Sequence, residues 1–195
     1  MLFVMASAAA AATLTVTNTN DAGAGSLRAT IAAAASGDTI VFGLPANSTI
    51  TLTSGAITFP AGVSMTIDAT SVNTVTIRAA ANNRVFLMPN DGARNIALQN
   101  LIITGGSLSA SGATGAGIAF LSGGSLSLTG CTVSGNSLTG SNSSGAGIYM
   151  ANAGSALTIT RSTISGNSLT SPNGQGAGLW TGVNTTLANT TVSGN

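Results

Sequence analysis

The sequence predicts an all-β protein, a right-handed parallel β-helix with coils of about thirty residues and a short N-terminal capping helix. Two repeated phrases carry this prediction. The first, Gly-Ala-Gly-Ile or Gly-Ala-Gly-Leu, begins at Gly115, Gly145 and Gly176, so it returns after 30 and 31 residues. The second, Thr-Val/Ile-Ser-Gly-Asn, ends at Asn136, Asn167 and Asn195. Three strands of about five residues fill one such period with their turns, which makes one β-helix coil.

Composition favours strands over helices. The 195-residue chain has five Arg and four Asp but no Lys, Glu or His, and 5% of its residues are charged, against about 25% in ordinary soluble domains. Without Lys and Glu, surface helices are disfavoured, whereas Thr, Val and Ile favour strands. The net charge of +1 provides no basic patch, so we expect no nucleic acid partner and no membrane insertion by this segment.

Residues 1–12 form the longest apolar run of the chain. The run passes into Ala-x-Ala, which resembles the h-region and cleavage site of a secretory signal peptide, and it is too short to cross a bilayer. We therefore interpret it as a signal-peptide remnant. Because no Lys or Arg precedes the apolar residues, an Ala-rich tail is the alternative.

Residues 13–47 are predicted to form an N-terminal cap of strand, helix and strand. Residues 13–17 alternate with a period of two, as a half-buried strand does. Ser26 is a good N-cap for a helix over residues 27–35, and residues 39–42 have the apolar pattern of a buried strand. Such a cap covers the apolar cross-section and the strand edges that the first coil would otherwise expose.

Residues 48–195 are predicted to be β-helix coils. Apolar residues at constant offsets of two and five mark the inward positions, although the length of the repeat unit varies. We therefore expect strands of constant spacing joined by turns of variable length. Stacked coils place like residues above like, about 4.8 Å apart. The predicted aliphatic ladder inside consists of Val133, Ile164 and Val192. The predicted amide ladder at the following bend consists of Asn136, Asn167 and Asn195, each side chain bonding the next.

Two features resemble known proteins. The segment Gly25-Ser26-Leu27-Arg28, followed by Gly-Asp-Thr-Ile-Val-Phe at residues 37–42, is similar to the opening of bacterial secreted right-handed parallel β-helix proteins with a pectin-lyase-like fold. The repeated phrases are similar to those of polymorphic outer-membrane proteins and other autotransporter-type surface passengers. The resemblance implies a secreted or cell-surface protein, extracellular or at the outer membrane. Such proteins are usually longer, and the chain ends at Asn195, the last residue of a repeat phrase, with no C-terminal cap in the sequence, so we expect a fragment truncated at its C-terminus.

No catalytic, cofactor or metal site is predicted. The four acids are spread over the early segments, and beyond residue 100 the only charged residue is Arg161. Glycoside hydrolysis needs two carboxyls about 5 Å or about 6.5–9.5 Å apart, and no sequence spacing demands such a pair. Asp38 and Asp91 are expected in turns beside glycines. Asp68 is expected to pair with Arg78 or Arg94.

Two aromatic residues are candidate carbohydrate contacts. Tyr149 and Trp180 each follow an inward aliphatic residue, so both are predicted to point outward, one above the other. Exposed stacked rings form a platform for sugars. The alternative is that each ring packs under a loop.

Thr-x-Thr strands raise an ice-binding alternative. They occur at residues 13–17, 49–53 and 158–160, and a flat stacked Thr array is the surface that ice-binding β-solenoids use. Ser127 and Ala188 interrupt the row. The high β-propensity of Thr explains the same pattern without ice.

The sequence therefore predicts a structural or adhesive passenger of a secreted or cell-surface β-helix protein, with no catalytic activity in this segment. Surface glycans, or proteins of a host or neighbouring cell, are expected to bind at the loops around residues 106–115, 138–145 and 169–176. One alternative is the N-terminal part of a polysaccharide lyase or hydrolase whose active site lies in missing coils, and a third is an ice-binding solenoid. The open last coil is expected to allow self-association.

Overall fold

The structure is a computed structural model that describes residues 10–195. The predicted signal-peptide remnant lies mostly at residues 1–9, outside the described residues. From residue 10 onward the chain is a parallel β-helix of about six coils, with about thirty residues in each complete coil. The predicted all-β fold class is confirmed.

Four sheets run along the solenoid, and every strand pair in them is parallel. The seven-stranded sheet contains Thr13–Val16, Thr39–Phe42, Met65–Asp68, Arg94–Gln99, Gly124–Thr129, Ala156–Thr160 and Asn184–Ala188. The six-stranded sheet contains Thr49–Leu52, Val75–Ala79, Leu101–Thr104, Thr132–Ser134, Thr163–Ser165 and Thr191–Ser193. The five-stranded sheet contains Ile57–Thr58, Phe86–Met88, Ile118–Phe120, Ile148–Met150 and Leu179–Thr181. The three-stranded sheet contains Ser107–Leu108, Ser137–Leu138 and Ser168–Leu169.

The N-terminal helix spans Leu27–Ala33. Within the described residues, the other helical element is a 3₁₀ turn at Thr70–Val72. Ser26 caps the helix as expected, since its hydroxyl accepts a hydrogen bond from the Ala29 amide at 3.2 Å. The helix ends two residues before the predicted limit because Ala34 is already extended. Both strands of the predicted cap lie in the seven-stranded sheet, so they continue the solenoid.

Inward side chains stack in columns between the sheets. One column in the seven-stranded sheet contains Leu14, Ile40, Ile67, Leu98, Leu128, Ile159 and Leu187. Its five inner members are fully buried, whereas Leu187 in the last coil is 47% exposed. Burying one such side chain contributes roughly 2 kcal/mol. The columns therefore hold successive coils together, and the last coil gains least.

In the last four coils, a residue in the left-handed conformation makes the turn between the seven- and six-stranded sheets. This residue is Asn100, Gly130, Arg161 or Asn189 in successive coils, with φ between 49° and 63°. Asn and Gly tolerate this conformation best. Because this turn is short in these four coils, the inward residues before and after it keep a constant offset, whereas in the first two coils residues 43–48 and 69–74 form longer connections.

The structure gives the acids different partners from those expected. Arg94 forms an ion pair with Asp91, and the Asp68 carboxylate accepts a hydrogen bond from the Thr70 amide at 2.8 Å. The expected pairing of Asp68 with Arg78 or Arg94 is therefore wrong. The reason is strand alternation, because Asp68 points outward from the seven-stranded sheet and Arg94 points inward.

One ion pair fastens the N-terminal segment to the first full coil. The Arg28 guanidinium donates to the Asp21 carboxylate at 2.6 Å and to the Gly55 carbonyl at 2.8 Å. The second carboxylate oxygen of Asp21 accepts hydrogen bonds from the amides of Thr53 and Ser54 at 3.0 and 2.6 Å. Partial burial by itself raises the pKa of Asp21, but these donors outweigh it and hold the pKa well below its usual range.

This pKa shift predicts acid sensitivity. A carboxyl whose pKa is depressed on folding stabilises the fold above its unfolded pKa of about 3.9, and that contribution is lost as pH falls toward the folded value. We expect the free energy of unfolding to be level between about pH 7 and pH 5 and to fall steeply below about pH 4. Asp21→Asn should lower it by about 2 kcal/mol at neutral pH and flatten the acid slope. Urea unfolding at stepped pH measures both.

Asp68→Asn is the matched control, because Asp68 lies on the outward face and bonds only to a residue of its own turn. This variant should keep the slope of the parent protein. The interpretation would be wrong if Asp21→Asn and the parent lost stability in parallel below pH 4.

Candidate binding site

The amide ladder lies at the bend after the six-stranded sheet. The Asn136 side-chain amide donates to Asn167 Oδ1 at 2.9 Å, and that of Asn167 donates to Asn195 Oδ1 at 2.8 Å. Asn136 and Asn167 are 0% and 2% exposed. The neighbouring aliphatic residues, Val133, Ile164 and Val192, pair in one register, and Val192 is half exposed because it belongs to the last coil.

Each ladder amide also holds backbone of the coils below it. Asn167 Nδ2 donates to the Val133 carbonyl at 3.0 Å, and Asn167 Oδ1 accepts from the Asn136 amide at 3.2 Å. Asn136 Oδ1 accepts in the same way from the backbone amide of Gly106, at 2.9 Å. Gly106 occupies the ladder position in the preceding repeat, which has no Asn there. The ladder therefore fixes the point at which each long loop leaves the solenoid.

Three long loops stack into a lobe, which we define as residues 106–117, 137–147 and 168–178. The three-stranded sheet and the bridges from Thr114 to Ser144 and from Ser144 to Gln175 join them. The lobe has its own small apolar cluster, formed by Ala116, Leu138 and Ala146 with Leu108, Ala113 and Leu169 packed against it. The loops expected to carry recognition are thus ordered against one another.

The base of the lobe explains the Gly-Ala-Gly phrase. A Cβ atom at Gly147 would lie 2.3 Å from the Gly178 carbonyl oxygen and 3.0 Å from the Asn167 side chain, so no other residue fits there. The Arg84 guanidinium supports the first loop from below, donating to the Thr114 carbonyl at 2.6 Å. These glycines therefore serve the close approach of coils.

The structure brings the two candidate carbohydrate contacts together beside the lobe. Tyr149 and Trp180 pair in register on the five-stranded sheet, and their rings are stacked with centroids 4.8 Å apart and planes 10° apart. Both side chains are half-buried. No further strand of the described residues stacks beyond Trp180 in this sheet.

Gln175 is a part of this site that the sequence analysis missed. Its Oε1 accepts a hydrogen bond from Trp180 Nε1 at 2.8 Å, which orients both the indole ring and the side-chain amide. The earlier repeats have Thr114 and Ser144 at this position. The only signal for Gln175 in the sequence is that it replaces the small hydroxyl residue found at the same position of the two earlier repeats.

The remaining reactive groups have structural roles. Asp38 accepts hydrogen bonds from the amides of Ala12 and Ala35, both at 2.8 Å, and these bonds lower its pKa. Cys131 is buried, burial raises the pKa of its thiol to about 11, and the thiol donates to the Leu98 carbonyl at 3.3 Å. Within residues 10–195, no three His, Cys, Asp or Glu side chains cluster as metal ligands, and no helix is long and apolar enough to span a bilayer.

A shallow depression of about 220 Å³ lies on the outward face of the seven-stranded sheet. Its lining includes Ser64, Thr66, Asn95 and Ser125, and the Ser125 hydroxyl donates to Asn95 Oδ1 at 2.8 Å. The depression has no charged or aromatic lining residue. It is a weaker candidate than the aromatic pair because it offers no aromatic surface, and Ser64, Asn95 and Ser125 already bond one another.

No protein-family model, curated protein or solved structure matches the chain.

Proposed function

We propose that this chain is a structural and adhesive segment of a secreted or cell-surface β-helix protein of the pectin-lyase-like type, and that it binds neutral glycans at Tyr149 and Trp180. The observation that carries the proposal is the parallel stack of these two rings at the edge of an ordered lobe. Rings that are stacked and half-exposed present a rigid amphipathic surface at little entropic cost.

The groups around the rings suit a sugar. Gln175 presents an amide whose direction is set by its bond to the Trp180 indole, and the lobe adds backbone and hydroxyl groups. A few fixed polar groups beside an apolar surface are the usual composition of a small-ligand site. Beyond residue 100 the only charge is Arg161, so an uncharged glycan fits this surface better than an acidic one.

The surface location rests on the sequence features described above. The apolar N-terminal segment resembles an export signal, and the repeat phrases resemble those of surface passengers. A rigid rod of stacked coils, stabilised by internal ladders, is suited to holding a binding surface away from a cell.

Fluorescence tests the glycan site directly, because the chain has one Trp and one Tyr. We expect neutral oligosaccharides from cellulose, chitin or mannan to shift the Trp180 emission saturably. Tyr149→Ala should weaken the binding about fivefold, since truncating an aromatic side chain that contacts the ligand costs about 1 kcal/mol of binding free energy.

Thr158→Ala, on the outward face of the seven-stranded sheet, is the matched control and should bind as the parent does. Circular dichroism checks that each variant is folded. The proposal would be refuted if none of these oligosaccharides changed the emission, or if Tyr149→Ala bound as tightly as the parent.

A further inference from the structure

Hydroxyl side chains form two rows on the outward face of the six-stranded sheet, which we call the hydroxyl face. The first row contains Thr49, Thr76, Ile102, Thr132, Thr163 and Thr191. The second row contains Thr51, Arg78, Thr104, Ser134, Ser165 and Ser193. All members except Ile102 and Arg78 carry a hydroxyl group. The register therefore builds a two-row array that spans six coils.

The hydroxyl groups of this array are not used inside the protein. Within residues 10–195, none of the row hydroxyls makes a hydrogen bond to another side chain or to backbone. Other hydroxyls behave differently: that of Ser125, on the outward face of the seven-stranded sheet, donates to Asn95 Oδ1 at 2.8 Å, and that of buried Ser162 donates to the Thr160 carbonyl at 2.8 Å. The hydroxyl face thus keeps its donors and acceptors for groups outside the chain.

Only one of the three Thr-x-Thr strands that the sequence suggested, the one at residues 49–53, lies on this face. The expected Thr-x-Thr strands at residues 13–17 and 158–160 lie on the seven-stranded sheet, where Val41, Asp68 and Gln99 stand in the row beginning at Thr15. On the hydroxyl face the same two residue types recur in three consecutive coils as Thr-x-Ser. The regular array is therefore on the neighbouring sheet.

The spacing of the rows suits ordered water. Hydroxyls one coil apart are about 4.8 Å from each other, and those two residues apart in a strand are about 6.6 Å from each other. The threonines of the first row present a methyl and a hydroxyl group, the serines of the second row present a hydroxyl group alone, and the two spacings are close to oxygen repeats on faces of hexagonal ice. We propose that the hydroxyl face binds ice. This surface is separate from the glycan site, which lies on the five-stranded sheet.

Arg78 marks the N-terminal limit of the face. It is the only charged member of the two rows, and its long exposed side chain stands between Thr51 and Thr104. An ice lattice has no place for a charged, strongly hydrated group. Ile102 interrupts the first row in the next coil, so both rows are continuous over the three strands Thr132–Ser134, Thr163–Ser165 and Thr191–Ser193.

Thermal hysteresis and inhibition of ice recrystallisation by the full chain test this proposal. We expect the parent protein to show both effects. Thr163→Tyr should abolish them because a bulky ring at the centre of the first row lifts the face from the ice. Thr158→Tyr places the same ring on the outward face of the neighbouring sheet in the same coil, so it should retain both effects.

Arg78→Thr supplies an independent gain-of-function test. It completes the second row, lengthens the regular array, and should raise the thermal hysteresis at equal protein concentration. The proposal is overturned if the parent shows neither effect, if Thr158→Tyr is as damaging as Thr163→Tyr, or if Arg78→Thr brings no increase. Glycan binding measured by Trp180 fluorescence should not change in Thr163→Tyr, so failure of one proposal leaves the other open to its own test.

Discussion

Replacing Arg94 with methionine should lower the free energy of unfolding by about 4 kcal/mol, because the carbonyl groups that bond its buried guanidinium lose their donor at about 1–3 kcal/mol each. The Arg94 side chain is fully buried. Its guanidinium donates to the carbonyls of Phe59, Pro60 and Pro89 at 3.1, 2.8 and 3.2 Å and pairs with Asp91. Methionine fills a similar volume but donates to none of them, so buried carbonyl groups lose their partners.

Arg78→Met is the matched control for this experiment. Arg78 is exposed on the outward face of the six-stranded sheet and forms no ion pair within the described chain. We expect this substitution to change the free energy of unfolding by less than about 0.5 kcal/mol. Equal urea midpoints for the two variants would show that the buried hydrogen bonds of Arg94 do not stabilise the fold.

Removing the central amide of the ladder should have the second largest effect. Asn167→Ala should lower the free energy of unfolding by about 3 kcal/mol, because each buried polar group left without a partner costs about 1–3 kcal/mol. The groups affected are the Val133 carbonyl, the Asn136 amide and the Asn136 side chain, all of which bond to Asn167. Urea unfolding monitored by circular dichroism measures the loss.

Two further variants make this test specific. Asn195→Ala should cost less than Asn167→Ala, since Asn195 is exposed at the end of the ladder. Asn184→Ala removes an exposed amide on the outward face of the seven-stranded sheet and should be nearly neutral. Equal losses at residues 167 and 184 would contradict a structural role for the ladder.

The ladders were predictable because they depend on repetition alone. Asn136, Asn167 and Asn195 end the same phrase, so coils of one period bring them together. The Tyr149–Trp180 stack follows from the same rule, because both residues stand one position after an inward aliphatic residue. Neither inference requires knowledge of the loops, which vary in length.

Arg94 could not be located from the sequence. Arginine is almost never fully buried unless it is paired, and its carbonyl partners lie up to 35 residues earlier in the chain. The inward direction of Arg94 follows only from the alternation that continues to Ile96 and Leu98. The pairing with Asp91 depends on the conformation of the turn before the strand, which composition does not determine.

The sequence predicted only the first strand of the hydroxyl face, at residues 49–53, and missed its continuation for a different reason. Thr163 and Ser165 belong to the Thr-Ile-Ser-Gly-Asn phrase. In the sequence this phrase predicted the bend and its amide ladder, and it did not by itself predict an outward row of hydroxyls. Only the register shows that the outward residues before that bend align over the whole sheet. Gln175 was missed because its bond to Trp180 depends on how the variable loop folds back.

Residues one repeat apart lie side by side along the solenoid, and every ladder and row depends on this register. Spin labels at Thr51→Cys and Ser165→Cys test it directly, because these positions share one outward row and are four strand spacings apart. Cys131 stays unlabelled, since it is buried and its pKa is about 11. Double electron–electron resonance should give one narrow distance near 19 Å. A broad distribution, or a mean beyond about 30 Å, would contradict the coil register.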